Sequence, residues 1–509
     1  MNFTLPSIGV NNFSGGLNDA KNQFALKGNQ LSEAWNVVVY QKSIEKRPGY
    51  TPRIATAMSG ATTVTGVGQF RDSSYTRRFV CTHNGTLYLD NAGTWAEKMP
   101  SSGVTISTSA LCSLIPAERA IVGVDQTNPP FIYNGTGDCS VLNPNINRAS
   151  CGMFHKGFFI LGDTTWTGTR EYSTVRNSIL GNVQNFEDGK SDTNRKSQVR
   201  CLIPTADYGL IFLDDEVWYM VFSPSESFTF SYKVLDPGVG IVGPMAACNV
   251  PGQATFFWGR GQGKHGPYII SEDPLSKPRY VGDRISQFID GIDTNYLANI
   301  VTVSFPSKYG VLFNVPYGSS QATNNYAIFY NYADDAFSIW KNPTAAYAFA
   351  SGVVVDDSDS ADWLYCGGYD GLVQKVGTGV ADNGNGYTSE VWTPWYGKMG
   401  VENLWLQLRL YMDLGQRKTL SVKSRFFNQS AEYSQAIVGG APGTPIGEFI
   451  IGVSALAGEA SGVLVGDIYG ETSEFIQVGI MDETINESFR LHGLGVTYER
   501  ASSWAKMAS

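Results

Sequence analysis

Charge is scarce in this chain: of 509 residues only 16% are Asp, Glu, Lys or Arg, and the balance is acidic, with a formal net charge of −9 and a pI near 5.1. That excludes a protein that wraps and grips nucleic acid, which needs concentrated Lys and Arg against phosphate. It leaves room for a surface that DNA slides past. Paired cysteine motifs are also missing. Cys81, Cys112, Cys139, Cys151, Cys201, Cys248 and Cys366 are odd in number and scattered, so neither a disulfide framework nor a thiolate metal site is indicated, and buried free thiols in a reducing compartment are expected. The chain has no apolar run of about 18 residues and no basic segment leading into an apolar one near residue 1, so neither a membrane span nor a secretion signal is expected. Histidine is limited to His83, His155, His265 and His492, far apart and without metal-ligand spacing. A phosphate-cradling Gly-Lys-Ser or Gly-Lys-Thr pattern does not occur.

What is abundant is the material of short strands and tight turns: 56 Gly, 26 Tyr, 27 Phe and 11 Trp. A chain this long exceeds one ordinary core unless its architecture repeats. From about residue 60 to about 390 a coarse unit does recur. Residues 78–83, the turn Asn84-Gly85 and residues 86–90 read as strand, turn, strand. Similar pairs follow at 120–124 with 131–135, at 157–161, at 210–213 with 217–220, and at 254–258. Further ones lie at 310–314, at 327–330 with 337–340, and at 363–366 with 371–373. Asn84-Gly85-Thr86 and Asn134-Gly135-Thr136 match a glycosylation acceptor but fit hairpin turns better. A spacing of mostly about fifty residues suits a four-stranded propeller blade, and six or seven units suit a closed ring. The fold class expected is therefore all-β, a β-propeller of six or seven blades over 59–390, with an N-terminal docking or platform segment over 1–58 and a C-terminal β-rich domain over 391–509. One helix-like stretch, 284–289 continuing toward Leu297, reads as a rim insertion.

Chemistry is hard to find. Gly261 to Gly266 has dinucleotide-fingerprint spacing, but a strand follows where that fingerprint needs a helix, so it reads as a hairpin turn. Carboxylates at Asp214, Asp215 and Glu216, at Asp334 and Asp335, and at Asp356 and Asp357 fit turn positions better than an acid and base pair. The Ser-x-Asp-x-Gly-x-Thr-Trp box of sialidase propellers is absent. No catalytic residue, cofactor or metal is assigned, and no enzyme is expected.

The first fifty residues carry the most specific signal. Gly15, Gly16, Leu17 and Asn18 form a glycine turn, 27–36 reads as a short helix ending at Asn36, and Lys46, Arg47, Pro48 and Gly49 form an Arg-Pro-Gly turn that displays the two cations. This order and spacing resembles the N-terminus of the tail nozzle or hub proteins of short-tailed bacteriophages, the family of tail tubular protein B and the packaged-DNA stabilisation proteins. The resemblance implies a propeller-containing structural virion protein in the phage tail, assembled in the bacterial cytoplasm. It implies a homo-oligomeric ring, a hexamer, under the tail adaptor ring on the portal side, with tail fibres or spikes as possible neighbours. Double-stranded DNA would pass through that ring without sequence-specific contact and be retained until ejection. Docking residues would be Gly15, Gly16, Leu17, Asn18, Asn36, Lys46, Arg47, Pro48 and Gly49.

In the last 120 residues, 404–412 alternates as a strand with one buried face, and 420–426 is its expected neighbour. Between Phe426 and Phe489 there is no Lys or Arg. Glu432, Glu448, Glu459, Asp467, Glu471 and Glu474 are the candidate channel-lining carboxylates, since an acidic wall repels phosphate and lets DNA run. The Gly, Ala and Pro-rich stretch 439–447 is expected to project into a constriction. The final strand, 489–499, is expected to pair with an N-terminal strand. The alternative reading is a receptor-binding or glycan-cleaving propeller of the tail, with Trp218 beside Asp214 and Asp215.

Overall fold

A computed structural model describes residues 6–500, apart from 61, 99–102, 187–189, 194–195, 224–228, 274–275, 342–347, 357–360, 415–417, 428, 430, 440–459, 469–471 and 485–487. The chain is all-β, with a β-propeller as its larger part. Seven antiparallel sheets follow one another over 64–98, 113–141, 146–192, 199–236, 239–280, 301–340 and 351–376. The innermost strand of each lies against that of the next. Val64–Arg71 touches Ser113–Ala117, which touches Cys151–His155, then Val199–Pro204, Ala247–Val250, Val301–Phe305 and Ser351–Asp356, which returns to Val64–Arg71. The ring is closed with seven blades.

Turn chemistry shapes these blades locally. His83 pairs with Thr86 across Asn84-Gly85, and Gly261 with Lys264 across Gln262-Gly263, with all four turn residues at positive φ. Such two-residue turns match the right-handed twist of the strands they join. The dinucleotide-like glycines are therefore a hairpin tip, as their sequence context indicates. Between blades, apolar side chains from facing sheets interdigitate: Phe70, Val80, Leu87, Leu114, Ile121 and Phe131 between the first two, for example.

The seventh blade is finished from the other end of the sequence. Its outer strand is Tyr50–Pro52, paired with Val373–Val376 through Gln374 to Pro52, Lys375 to Thr51 and Val376 to Tyr50. Burial of Leu364, Cys366 and Val376 against Phe305 and Trp340 favours that closure by about 25 cal/mol per Å² of apolar surface removed from water.

The C-terminal part is two packed sheets. In one, Asn403–Leu414 lies between Ala460–Asp467 and Phe489–Arg500, and Phe489–Arg500 is flanked in turn by Ser43–Lys46 and by Ser7–Val10. The expected pairing of the last strand with an N-terminal one is present, Ser7 to Thr497 through Val10 to Leu494. The expected neighbour of 404–412 is not: Lys418–Phe426 belongs to the second sheet, beside Phe475–Asp482 and Glu432–Gly439. The reason is packing. Trp405, Leu408, Leu410 and Met412 face Leu420, Val422 and Phe426 across the sandwich core, so the two apolar rows meet face to face.

Residues 27–36 are a second correction. They form no helix but a turn, the strand Gln30–Leu31 and the strand Glu33–Trp35; a single 3-10 turn, Gln23–Ala25, precedes them. Glu33–Trp35 is inserted between the outer strand of the sixth blade, Ala336–Trp340, and Ser389–Trp392. Its backbone groups are taken by tertiary ladders, which override a local preference. One sheet thus runs from the sixth blade into the C-terminal sandwich. The short helix Ser286–Asp290, with 3-10 turns on either side, sits where a helix was expected.

Candidate functional site

The N-terminal motif residues converge, but inward. Gly16 lies at φ 56, and a Cβ there would meet Phe337 N at 2.8 Å; one on Gly15 would meet Asn29 O at 2.6 Å. Both positions need the close backbone approach that only glycine permits. Leu17 is in the core, and the Asn18 N–H donates to Leu31 O at 2.9 Å. Asp19, next in line, accepts from the N–H groups of Gln287 and Phe288 at 3.1 and 2.9 Å, so it supplies the N-terminal cap of the 286–290 helix from a distant part of the chain. Burial pushes its carboxyl pKa up.

Asn36 and Arg47 are the centre of a clasp. Asn36 adopts a left-handed φ of 54, which ends one strand and turns the chain into Val37–Tyr40. Its Nδ2 donates to Thr388 O at 2.7 Å, and its Oδ1 accepts from Arg47 Nε at 3.0 Å and from Lys341 N at 2.7 Å. Arg47, fully buried, forks onto Asp382 with Nη1 to Oδ1 at 2.8 Å and Nη2 to Oδ2 at 2.5 Å. Its guanidinium lies 3.6 Å from the centroid of the Tyr387 ring, whose hydroxyl donates to the Arg47 carbonyl. Lys46, also buried, pairs with Asp482 at 3.2 Å and donates to Thr484 O at 2.6 Å. Gly49 lies against the Ala381 backbone.

This corrects the expected display of Lys46 and Arg47. Gly15, Gly16, Leu17, Asn18, Asn36, Lys46, Arg47 and Gly49 are all buried within the chain, and Pro48 is half-buried. Two cations leave the surface because two carboxylates, from the end of the propeller and from the sandwich, meet them in bidentate or hydrogen-bonded geometry. The clasp ties ring closure to the C-terminal sheets.

The acidic candidates divide. Glu432 is exposed but paired with Lys423 at 2.9 Å and Arg425 at 3.1 Å; burial pushes its carboxyl up, and the hydrogen bonds from Lys423 and Arg425 prevail and hold it below the usual range. Glu474 is half-buried beside Phe475, and Asp467 ends the strand Ala460–Asp467 opposite Gln407. Glu448, Glu459, Glu471 and the stretch 440–447 lie outside the described residues.

Carboxylates singled out for glycan chemistry are engaged elsewhere. Asp214 accepts from Arg200 Nε at 2.7 Å and Arg260 Nη2 at 3.2 Å, Asp215 accepts from Ser197, and Trp218 Nε1 donates to Glu216 at 2.7 Å. One constellation was invisible in the sequence. His492 bridges Ser43 Oγ, 3.0 Å from Nδ1, and Asp413 Oδ2, 2.6 Å from Nε2. Ser43 is only 4% exposed, so its hydroxyl is shielded from substrate and the triplet ties three strands together. Among the described residues, no group of three or more His, Cys, Asp and Glu is placed to hold a metal. None of the seven cysteines is in a disulfide, and all but Cys248 are buried; burial pushes Cys201 up to about 12.

Two of the concave spaces among the described residues stand out. The propeller bore is a cavity of about 430 Å³ walled by the seven inner strands. The outer face of the Asn403–Leu414 sheet forms a broad hollow of about 1310 Å³ with Gly9, Gly493 and Gly495 in its floor and Gln407, Arg409, Tyr411 and His492 along it. Tyr411 and Val465 on that face are 44% and 50% exposed.

No family model matches the chain, and no curated protein matches it. Solved structures do. BamB from Moraxella catarrhalis has 10% identity and a TM-score of 0.38, over 67% of this chain and 96% of that one. YCF48 bound to D1 peptide has 10% identity and a TM-score of 0.38, over 64% and 96%. A chain of the mitotic checkpoint complex has 10% identity and a TM-score of 0.39, over 64% and 94%. At such identity the likeness concerns fold alone.

Proposed function

We propose that this protein is a structural subunit of a short-tailed phage tail, a nozzle or hub component that assembles as a homo-oligomeric ring, a hexamer, around the exit path of double-stranded DNA. The observation that carries the reading is the convergence of the Gly-Gly-Leu-Asn turn, Asn36 and the Arg-Pro-Gly turn on the seam between propeller and sandwich. Pieces that are scattered in sequence act together there, and they make two β units into one stiff block, which a wall segment of a channel requires.

The bore cannot be the DNA path, because a space of about 430 Å³ filled from seven sides does not admit a duplex whose major groove alone is about 12 Å wide. The passage in this reading runs between subunits. Subunits in a ring meet through heterologous surfaces, and the exposed Tyr411 and Val465 on the open sheet face supply apolar anchors for one. Within the virion the protein would sit in the tail, after assembly in the host cytoplasm.

Electron microscopy and mass photometry of the purified protein test this directly. Hollow rings with rotational symmetry and an opening wide enough for duplex DNA are expected. A protein that stays monomeric at tens of micromolar, alone and with an adaptor ring, overturns it.

A further inference from the structure

We propose that Asn383 is a self-modifying site, whose side-chain amide is lost spontaneously through a cyclic imide with Gly384, and that the product loosens the clasp around Arg47. Asn-Gly occurs four times in the chain, beginning at Asn84, Asn134, Asn383 and Asn385. The reaction asks for an exposed asparagine amide, a following backbone nitrogen that no side chain crowds, and a peptide free to turn one toward the other. Asn383, Gly384 and Asn385 are all exposed, and a Cβ on Gly384 would find nothing within 4 Å. The chain closes here as a two-residue turn, with Asn383 at φ 49 and Gly384 at φ 80. Asp382 N donates to Asn385 O at 2.8 Å, and Asn385 N donates back to Asp382 O at 2.9 Å. Among the described residues no backbone carbonyl accepts from the Gly384 N–H. No ladder extends the turn, because the Asp382–Asn385 pair is an isolated bridge. Asn84-Gly85, by contrast, closes two blade strands paired from His83 and Thr86 to Val80 and Leu89, so opening it breaks more of the sheet.

The remaining two sites are held more firmly. Asn134 Oδ1 accepts from the Thr136 N–H and hydroxyl at 3.1 and 3.0 Å, and Gly135 is buried, its Cβ position 2.8 Å from Asp72. Asn385 is fastened to Asp382 through its backbone, and Gly386 is half-buried. At Asn383, hydroxide takes the proton from Gly384 N, that nitrogen bonds to Asn383 Cγ, and the Cγ–Nδ2 bond breaks, the nitrogen leaving as ammonia with a proton from water. Water then opens the ring at either carbonyl. One opening leaves aspartate on the original backbone; the other leaves isoaspartate, with the main chain routed through Cβ and Cγ. No electrons are gained or lost, and water is the one co-reactant. Isoaspartate adds one backbone atom to a turn whose two hydrogen bonds hold Asp382, the residue that takes the Arg47 fork at 2.8 and 2.5 Å. Asn383 N also donates to Tyr50 O at 2.8 Å, so the same turn reaches the outer strand of the seventh blade.

Mass-spectrometric peptide mapping of the full chain, aged at mildly alkaline pH, tests the assignment, with isoaspartate located by labelling with an isoaspartyl methyltransferase. In the folded protein, conversion at Asn383 is expected to run severalfold faster than at Asn84 or Asn134. In the urea-unfolded chain the three convert at similar rates, because only the shared Asn-Gly sequence then counts. Protein converted at Asn383 separates by anion exchange as a more acidic fraction and unfolds at a lower guanidinium concentration than the unconverted fraction. Asn383→Gln, whose longer side chain closes the ring far more slowly, keeps its unfolding midpoint through the same ageing. Conversion at Asn383 no faster than at Asn84 in the folded protein overturns the proposal, as does a converted fraction that unfolds together with the unconverted one. None of these readouts depends on ring assembly.

Discussion

Replacing Arg47 with Met keeps an unbranched apolar stem and removes the guanidinium from the centre of the clasp. Asp382, whose side chain has 0% exposure, then loses both of its bidentate donors and stays buried with its charge. Breaking a buried pair from one side costs about 3–5 kcal/mol, and the lost stacking over Tyr387 adds about 1–2 kcal/mol. With an unfolding entropy of about 2.1 cal/mol/K per residue, a 509-residue chain that melts in one step would lose about 4 °C for about 4 kcal/mol. Asp382→Leu strands the cation instead and costs about the same 3–5 kcal/mol. With both replaced, no buried charge is left without its partner, so the double variant loses less than the sum of the singles. Guanidinium unfolding followed by tryptophan fluorescence, with calorimetry on the same four proteins, measures this cycle. Single losses below about 1 kcal/mol, or full additivity, would refute the view that the pair locks the seam.

Gly49→Ala drives a methyl group into the Ala381 backbone and lowers stability by about 1–3 kcal/mol, read from the same denaturation curves. Burial depresses the pKa of His155 to about 4, so the folded protein holds it neutral; its contribution is fully present above pH 6.5 and is lost as pH falls from 6.5 toward 4. His155→Gln should flatten the stability profile across that window. Asp163 is an acid-side counterpart: burial opposes its ionisation, but hydrogen bonds from Arg170 and Ser150 hold its pKa below 3.8, so its contribution is present above 3.8 and lost as pH falls below. Asp163→Asn should remove that step from an acid titration followed by circular dichroism. Tyr411→Lys with Val465→Lys, exposed on the open sheet face, should leave the unfolding free energy within about 0.5 kcal/mol and abolish rings seen by mass photometry.

The ring was legible because its information is local. Asn84-Gly85 is a strong hairpin signal between apolar strands, Gln262-Gly263 reads as a turn from the strands on either side, and those apolar runs are long enough to read alone. The strand Glu33–Trp35 was not, because it is a strand only by lying between partners some 300 and 350 residues away. The same distance hid the fate of Arg47. A lysine and an arginine before a Pro-Gly turn look like surface residues, and nothing nearby announces Asp382, 335 positions later, or Asp482. His492 escaped for the same reason, its two partners lying on strands far from it in sequence.

Because residues 50–52 complete the seventh blade and residues 7–10 and 43–46 flank the strand Phe489–Arg500, these strands take their places only once partners more than 300 residues later exist. During synthesis those strands must wait, edges bare, until those partners have been made. A chain cut short before residue 376 would therefore carry an open propeller with sticky edges.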